Sequence, residues 1–428
     1  MKPKVLLDIS LLGHDSSVRR GMERVGFYLF EGLCKSDQIE LSFVATSHLP
    51  GAYDFLRSQG LSPKTRLRYR PRQLRSSRWG WRLAKAIQRS MENRSLPARA
   101  IRRTLAPLAQ VCSADESRFT SEMLHETDIY HSPHAPFPKA VHQAAHLRKF
   151  ITVHDFNPLK YPEFFSSKDS AFMDNLRACL TPENFAFCVS HAVRDDILNV
   201  STIPPERIFV TPLAADEKFF YPERDPQKLA AIRARYGIPE GNYFLSLSAH
   251  APHKNFPHLI RCFSALVESG ELSGTSLVIA GPNPQRNPEA RAALARYPRT
   301  QSRVIIAGRV PDEDLAALCS GATAFLFPSL FEGFGIPPLE AMQCGTPVVA
   351  SNTTSIPEVV GDAGILLPPK DLDAWCHAML QLSRQPALRE SLSEKSLRRA
   401  KLFSWQKFME QTLRGYRASL EMQPTKPA

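Results

Sequence analysis

The chain has 428 residues, of which 43% are apolar and 22% carry a charge, so two soluble domains of about 200 residues each are expected. It contains no run of 18 or more apolar residues, which argues against a membrane-spanning helix. The eight cysteines have no CxxC spacing, which argues against a structural zinc site and favours reduced thiols in the cytoplasm.

In the first half of the chain, short apolar runs alternate with helical stretches. The opening run, residues 4–12, contains Asp8 and is followed by no small-residue cleavage site, so it predicts a buried strand rather than a signal peptide. A helix is predicted over 23–36, and strands are predicted in 39–46, 128–134, 149–159, 185–199 (with a helix after it) and 208–214. This alternation favours a mostly parallel sheet with covered faces.

A basic segment interrupts this series and carries the imbalance behind the net charge of +12. Residues 64–103 contain 14 Lys and Arg and a single acid, Glu92. Apolar side chains recur among them at near-helical spacing, namely Trp79, Trp81, Leu83, Ile87 and Met91. Such a basic amphipathic helix can lie on an anionic membrane surface, and packing onto the N-terminal domain is the alternative. Nucleic acid is not expected as a partner, because neither stacking aromatics nor a nucleic-acid-binding fold is evident.

A second series of strands and helices begins near residue 243. Strands are predicted in 243–249, 276–281, 303–310, 324–329, 346–351 and 364–369, with helices over 256–269, 288–297 and 312–320. Charges and prolines replace the periodic apolar residues at 212–223, which predicts domains 1–212 and 213–402. Residues 403–420 form a terminal helical pattern, and the last eight residues are expected to be disordered.

Within the second series, residues 328–350 combine two carboxylates, Glu332 and Glu340, with a glycine turn. The pattern is strand, glycine turn, helix, strand, and the prolines at 337 and 338 suit the first turn of that helix. Gly333 and Gly335 would let backbone N–H groups approach a phosphate at the helix N-terminus. Sugar hydroxyls are the obvious donors to carboxylates placed beside a phosphate. The unit therefore predicts a nucleotide-sugar site.

This stretch resembles the retaining, nucleotide-sugar-dependent glycosyltransferases that include bacterial mannosyltransferases and sucrose synthases. The resemblance implies an α/β fold of the GT-B type, with two Rossmann-like doubly wound domains facing across a cleft. It also implies that Glu332 contacts the donor sugar and that Glu340 holds the ribose hydroxyls. The distal phosphate would then contact the backbone of Gly333, Phe334, Gly335 and Ile336. The tail from 403 to 420 resembles the family's terminal helix, which crosses back to the first domain.

The resemblance extends to the strand ends of the second domain, where open sheets bind ligands. Lys254 stands at the family's phosphate-binding lysine, and its charge would stabilise the leaving diphosphate. His253 replaces an arginine, and Ser248 stands where the family has Arg or Thr, so a hydroxyl is all that Ser248 can contribute. Val310 is expected beside the base through its backbone. A family glutamate, here Glu358, is expected to cap or pair within its own domain.

Strand ends of the first domain supply the facing residues. His154 and Asp155 match a His-Asp pair whose histidine lies near the anomeric carbon in the family. His131 and Pro133 resemble a second cleft loop, with core packing as the alternative. The turn after the first strand resembles the glycine loop that admits donor and acceptor, with Gly21, Glu23 and Arg24 as candidates. The predicted catalytic residues are His154, Lys254 and Glu332.

The resulting hypothesis is transfer of a hexose of mannose or rhamnose type, with retention, to a glycan or lipid-linked saccharide in surface polysaccharide synthesis. A GDP-linked donor is the first choice and a UDP-linked donor the second, with no cofactor and no DxD-type metal site. A cytoplasmic location is expected, with peripheral attachment to the inner face of the plasma membrane through residues 64–103. The alternatives are a nucleotide-sugar epimerase or hydrolase on the same fold, and a non-catalytic membrane-surface adaptor.

Overall fold

A computed structural model describes residues 2–13, 21–67, 119–247, 251–281 and 288–423, apart from the side chains of residues 64 and 65. Most of the basic segment 64–103, the candidate Ser248 and the last five residues lie outside these ranges. The described residues form two parallel six-stranded sheets whose strands are joined by helices. This arrangement confirms the predicted α/β class with two doubly wound units.

The first sheet has the strand order β2-β1-β3-β4-β5-β6. Its strands are β1 (Lys4–Asp8), β2 (Glu40–Val44), β3 (Ile129–Ser132), β4 (Arg148–Val153), β5 (Phe185–Cys188) and β6 (Ile208–Val210). Each adjacent pair is parallel, and Leu6 and Leu7 of β1 are almost completely buried. The order reverses between β1 and β3, so the loops after these two strands diverge and leave a crevice at the carboxyl edge.

The second sheet has the strand order β12-β11-β10-β7-β8-β9. Its strands are β7 (Tyr243–Leu247), β8 (Ser276–Ala280), β9 (Val304–Gly308), β10 (Ala324–Phe327), β11 (Val348–Ser351) and β12 (Ile365–Leu367). Here the order reverses between β7 and β10, which opens the corresponding crevice. The chain passes from the first sheet to the second between Val210 and Tyr243, the interval that contains the predicted domain boundary.

Helices cover the two sheets, and each sheet together with its helices forms one lobe. The helices of the first lobe are Met22–Lys35, Leu49–Ser58, Pro63–Arg66, Ser121–His125, Lys139–Gln143, Asn157–Lys160, Ser167–Arg177 and His191–Val200. Those of the second are Pro226–Tyr236, Phe256–Glu268, Pro288–Ala295, Pro298–Gln301, Asp312–Ser320, Ile336–Gln343, Ile356–Val360, Leu372–Arg384 and Pro386–Ala400. Short 3-10 turns span Ser10–Gly13, Pro162–Phe164, Pro205–Arg207, Pro252–Lys254 and Gly361–Ala363. In the parts of the chain described, no helix is long and apolar enough to cross a bilayer.

The first predicted strand is shorter than expected, because Asp8 ends it. The Asp8 carboxylate accepts hydrogen bonds from the backbone N–H (2.9 Å) and the hydroxyl (2.5 Å) of Ser10, and from the hydroxyl of Thr46 (2.6 Å). These bonds compete with the sheet for the backbone and turn the chain into a 3-10 helix. The prediction of a strand through residue 12 was therefore wrong beyond Asp8.

The last helix, Trp405–Glu421, returns to the first lobe. Ser404 caps it by accepting a hydrogen bond from the N–H of Lys407. Gly415 lies so close to the Phe187 ring of β5 that an added Cβ would stand 2.6 Å from a ring carbon. The Tyr416 hydroxyl is 2.7 Å from Nδ1 of His131 on β3. This helix therefore completes the core of a sheet formed by the beginning of the chain.

Candidate functional site

A cavity of about 380 Å³ lies between the two lobes, at the carboxyl ends of both sheets. It is lined by twelve of the residues predicted for the site: Gly21, Arg24, His154, Asp155, Lys254, Val310, Glu332, Gly333, Phe334, Gly335, Ile336 and Glu340. The two crevices face each other across it, because the loops after β7 and β10 meet the loops after β1 and β4. Residues separated by more than 300 positions in the sequence thus share one space.

Lys254 and Glu332 form an ion pair on the wall of the cavity that belongs to the second lobe. The Lys254 Nζ donates to Oε1 of Glu332 at 2.5 Å, and their side chains are 16% and 13% exposed. Lys254 follows β7 and Glu332 follows β10, the two strands at the point where the strand order reverses. Glu332 is held by its backbone, whose N–H donates to Thr354 and whose carbonyl accepts from Ser355. A cation and a carboxylate are thereby fixed on the cavity wall.

The glycine turn after Glu332 leads into the helix Ile336–Gln343. Gly335 has φ 99°, a backbone conformation that residues other than glycine rarely adopt. Pro337 stands in the first helical turn. The glycine turn and the start of this helix, residues 333–337, therefore form part of the cavity wall. Such a helix N-terminus favours an anionic ligand.

Gly333 is also a point of close contact between the two lobes. A Cβ added there would lie 1.9 Å from the carbonyl oxygen of His154, so glycine is the residue that fits. The Gly333 carbonyl accepts a 2.7 Å hydrogen bond from the hydroxyl of Ser190 in the first lobe. The glycine turn is therefore in direct backbone contact with the strand end that carries His154 and Asp155.

Glu340 is paired across the cleft with Arg24. The Arg24 Nη1 donates to Oε1 of Glu340 at 2.7 Å, and Nη2 lies 3.8 Å from Oδ2 of Asp312. Arg24 and Glu340 are each 7% exposed. Glu340 lies one turn into its helix and faces the same cavity as Lys254.

His154 is a neutral residue in this environment. Its Nε2 donates to the Pro133 carbonyl at 2.9 Å, which leaves Nδ1 as the acceptor of the ring. Burial, together with the nearby His134, lowers the pKa of His154 to about 4. Burial also raises the pKa of Asp155, although the N–H of Asn157 donates to its carboxylate and opposes the shift. Pro133 therefore contributes to this wall by orienting His154.

His253 contributes no charge to the cavity. Burial and the adjacent Lys254 lower the pKa of His253 to about 4. Its ring stacks on Phe331 with the ring centroids 4.7 Å apart, and Phe331 also stacks on Tyr161 of the first lobe at 4.0 Å. Phe331 is fully buried in this column of rings, directly before Glu332. His253 is thus part of an interlobe packing contact.

Three other predicted residues are not among those that line the cavity. His131 is fully buried between Tyr416 and Thr152, and burial lowers its pKa to about 3, so the structure favours core packing over the cleft loop for this residue. Glu23 lies in the first turn of the helix Met22–Lys35 and is not among the cavity-lining residues described.

Glu358 makes its hydrogen bonds to the other lobe rather than within its own. Its carboxylate accepts from the backbone N–H groups of His191 and Ala192 in the first lobe.

Sequence reasoning missed Asp312, which also lines the cavity. Its Oδ1 is buried and makes no hydrogen bond to any residue that the structure describes. A buried carboxylate oxygen without a donor is costly, and Arg24 lies 3.8 Å from the other oxygen, Oδ2. The signal in the sequence was an acidic residue opening a helix just after Val310, at the strand end expected beside the base. Among the described residues, no group of three or more His, Cys, Asp or Glu could hold a metal ion.

Comparison with known proteins gives consistent results. Residues 230–399 match the family described as "Glycosyl transferases group 1". The O-antigen chain mannosyltransferase B of Escherichia coli is 32% identical over 290 residues, which cover 68% of this chain and 74% of that protein. The serotype-specific mannosyltransferase WbdA of the same species is 27% identical over 63% of this chain, and this chain spans about a third (33%) of it.

Similar folds are found among solved structures. The sucrose-phosphate synthase of Thermosynechococcus elongatus superposes with a TM-score of 0.64 over 97% of this chain and 98% of that one. Sequence identity between the two is 20%, so this likeness bears on the fold alone. It covers nearly the whole chain, and it confirms the expected two-lobed architecture.

Proposed function

Since the chain belongs to the group 1 glycosyltransferase family, its role is that of a glycosyltransferase, and we propose that it transfers a hexose of mannose type from a nucleoside diphosphate to a glycan hydroxyl. A rhamnose-type hexose is the second choice. The observation that carries this proposal is the Lys254–Glu332 pair beside the glycine turn, in a cavity that also contains Glu340. The mannosyltransferase relatives support the choice of sugar and an acceptor in surface polysaccharide synthesis.

The proposed roles follow from the chemistry of each group. The diphosphate lies against the turn amides and Lys254, and the ribose hydroxyls donate to Glu340. Glu332 accepts hydrogen bonds from the hexose and shares Lys254 with the phosphate. Neutral His154 offers Nδ1 as an acceptor to a sugar hydroxyl near the reacting carbon. It does not act as an acid at pH 7, because burial keeps its pKa low.

Retention of configuration is part of this proposal. The acceptor oxygen forms its bond to the anomeric carbon on the face from which the phosphate departs, and the departing phosphate oxygen takes the hydroxyl proton. The protein's contribution is then to stabilise the charge that develops on the diphosphate and to orient the sugar. Lys254 is the cation placed for the first task. No cofactor or metal ion is part of this scheme.

Asp312 supports a GDP-linked donor over a UDP-linked one. Guanine offers two adjacent donors to a carboxylate, N1–H and the N2 amino group, whereas uracil offers only N3–H. Asp312 lines the same cavity as Val310, and its side chain is 17% exposed. A carboxylate at this place therefore favours guanine.

The test is thermal stabilisation by GDP, UDP and ADP sugars, followed by product analysis with a polysaccharide acceptor. A ligand at 100 times its dissociation constant adds about 2.7 kcal/mol, so binding is readily visible. GDP-mannose should give the largest shift, and transfer should yield an α-linked product. Hydrolysis or epimerisation without transfer to an acceptor would contradict the proposal.

A lipid-linked acceptor and contact with an anionic membrane are proposed from the basic segment alone. Cosedimentation of the full chain with vesicles tests this contact. Binding to vesicles containing anionic lipid, and not to neutral ones, is the expected result, and it should weaken with salt. Equal binding to both kinds of vesicle would contradict it.

A further inference from the structure

Arg24 reaches the donor side of the cavity from the opposite lobe. It extends from the helix Met22–Lys35, its guanidinium lies over the Phe220 ring at 5.7 Å, and it touches two carboxylates of the second lobe. Glu340 is the nearer at 2.7 Å and Asp312 the farther at 3.8 Å. With 7% exposure, Arg24 is a buried cation fixed between an aromatic ring and two acids.

The charges that face the cavity explain why a cation is needed there. Its described lining contains four carboxylates, Asp155, Asp312, Glu332 and Glu340, whereas Lys254 is already paired with Glu332. A nucleoside diphosphate brings further negative charge into this space. A buried carboxylate loses its hydration, and this loss is compensated only by close charge pairing and hydrogen bonds. Arg24 supplies both to Glu340.

From this geometry we infer that Arg24 is a positioning residue for the nucleotide. Arg24 acts through Glu340, with which it pairs across the cleft. It holds the carboxylate in place to accept the ribose hydroxyls, so that full nucleotide affinity exists only when the lobes are closed. This inference rests on the proposed function. It assigns to the ribose subsite a residue that the family resemblance placed, less specifically, in a loop admitting donor and acceptor.

The test compares two nucleotides, because the inference concerns ribose hydroxyls. Dissociation constants for GDP and for 2′,3′-dideoxy-GDP are measured by calorimetry with the wild type, Arg24→Met and Arg24→Lys. The wild type should bind GDP more tightly than the dideoxy nucleotide. In Arg24→Met, GDP affinity should fall roughly 10- to 100-fold, as when a hydrogen bond to a charged group is lost, and dideoxy-GDP affinity should change little. Arg24→Lys should recover part of the preference.

A double mutant separates action through Glu340 from other roles. In a Glu340→Gln background, Arg24→Met should have little further effect on GDP affinity. Arg207→Met is the matched control, because Arg207 is also buried in the first lobe and lies over an aromatic ring, Phe185, away from the cavity. It should keep the preference for GDP over dideoxy-GDP even if its melting temperature falls.

Three outcomes would overturn the inference. An equal loss of affinity for both nucleotides in Arg24→Met would mean that Arg24 binds phosphate directly. Unchanged GDP affinity would mean that it serves the acceptor or only the fold. If Arg24→Met does not fold, Arg24→Gln takes its place, and an unaltered preference for GDP in that variant would decide against the inference. A wild type that binds neither GDP nor UDP would instead refute the proposed function itself.

Discussion

The carboxylate of Glu358 in the second lobe accepts a 2.8 Å hydrogen bond from the backbone N–H of His191 in the first. Its other oxygen accepts from the N–H of Ala192 at 2.6 Å. Both donors belong to the first turn of the helix His191–Val200, where N–H groups have no partner within the helix. A negative charge from one lobe thus lies at the positive end of a helix dipole in the other.

Glu358→Gln should weaken closure of the cleft. Glutamine keeps the size of the side chain but loses its charge and one hydrogen-bond acceptor. This change should weaken the contact between the lobes by about 1 kcal/mol. We expect the KM for the donor to rise about fivefold and the melting temperature to change by only a few degrees. Steady-state kinetics checks the KM. Glu394→Gln, in an exposed ion pair with Arg398, is the control and should leave the KM for the donor unchanged. An unchanged KM in Glu358→Gln would argue that this contact does not limit donor binding.

Lys254→Met should slow transfer by on the order of 100-fold or more, because the charge that stabilises the departing diphosphate is lost. Lys254→Arg should restore part of the rate, since it keeps a cation at a slightly different distance. Single-turnover rates at saturating donor measure the effect directly. Lys35→Met, in an exposed pair with Glu31, is the control. A rate near that of the wild type would show that Lys254 does not stabilise the leaving group.

Asp312→Asn should reduce the preference for guanine over uracil. The amide replaces one carboxylate oxygen with a donor, which opposes the guanine N–H groups, so the ratio of UDP to GDP dissociation constants should fall about tenfold or more. Competition binding with the two nucleotides measures this ratio. Glu313→Gln, the exposed neighbour, should leave it unchanged. If Asp312→Asn also leaves it unchanged, base recognition lies elsewhere.

The stability of the protein should depend on pH through His131. In the folded state burial lowers its pKa to about 3, whereas the unfolded chain has the usual value of 6.5. The unfolded state therefore binds the proton first, and stability is lost as pH falls from 6.5 towards 3. Between pH 6.5 and 5 the loss should be about 1.6 kcal/mol for this residue.

His131→Gln removes this titration and keeps the capacity for hydrogen bonds to Tyr416 and Thr152. The free energy of unfolding is measured with urea at several pH values. Below pH 6.5 it should fall less steeply with pH in His131→Gln than in the wild type, by about 1.4 kcal/mol per pH unit. Lys407→Gln, on the surface of the last helix, serves as the control for the assay. Equal slopes in the wild type and His131→Gln would contradict the proton balance assigned to this residue.

The parts of the fold that sequence could predict are those set by local pattern. Apolar runs located all twelve described strands, and the Pro-rich helix start after Gly335 located one wall of the cavity. Helices with weak apolar periodicity were missed. Ser167–Arg177 is one example, although the capping box formed by Ser166 and Asp169 was a usable signal.

Pairs that form across the cleft could not be predicted. Arg24 and Glu340 are 316 positions apart, and Glu358 and His191 are 167 apart, so no local pattern relates them. His131 shows the same limit at a single position. A polar residue near the end of a strand can face the crevice or the sheet interior, and its partner Tyr416 comes from the last helix.

Because the last helix lies on the first sheet, two stretches of backbone join the lobes. One runs from β6 to β7, and the other precedes Trp405. Sliding or twisting one lobe against the other would strain one of these connections, whereas rotation about a line through both would not. The cleft should therefore open by a hinge rotation whose axis passes through the two connections. Such a rotation separates Arg24 from Glu340 while His131 and Tyr416, which both belong to the first lobe, stay together.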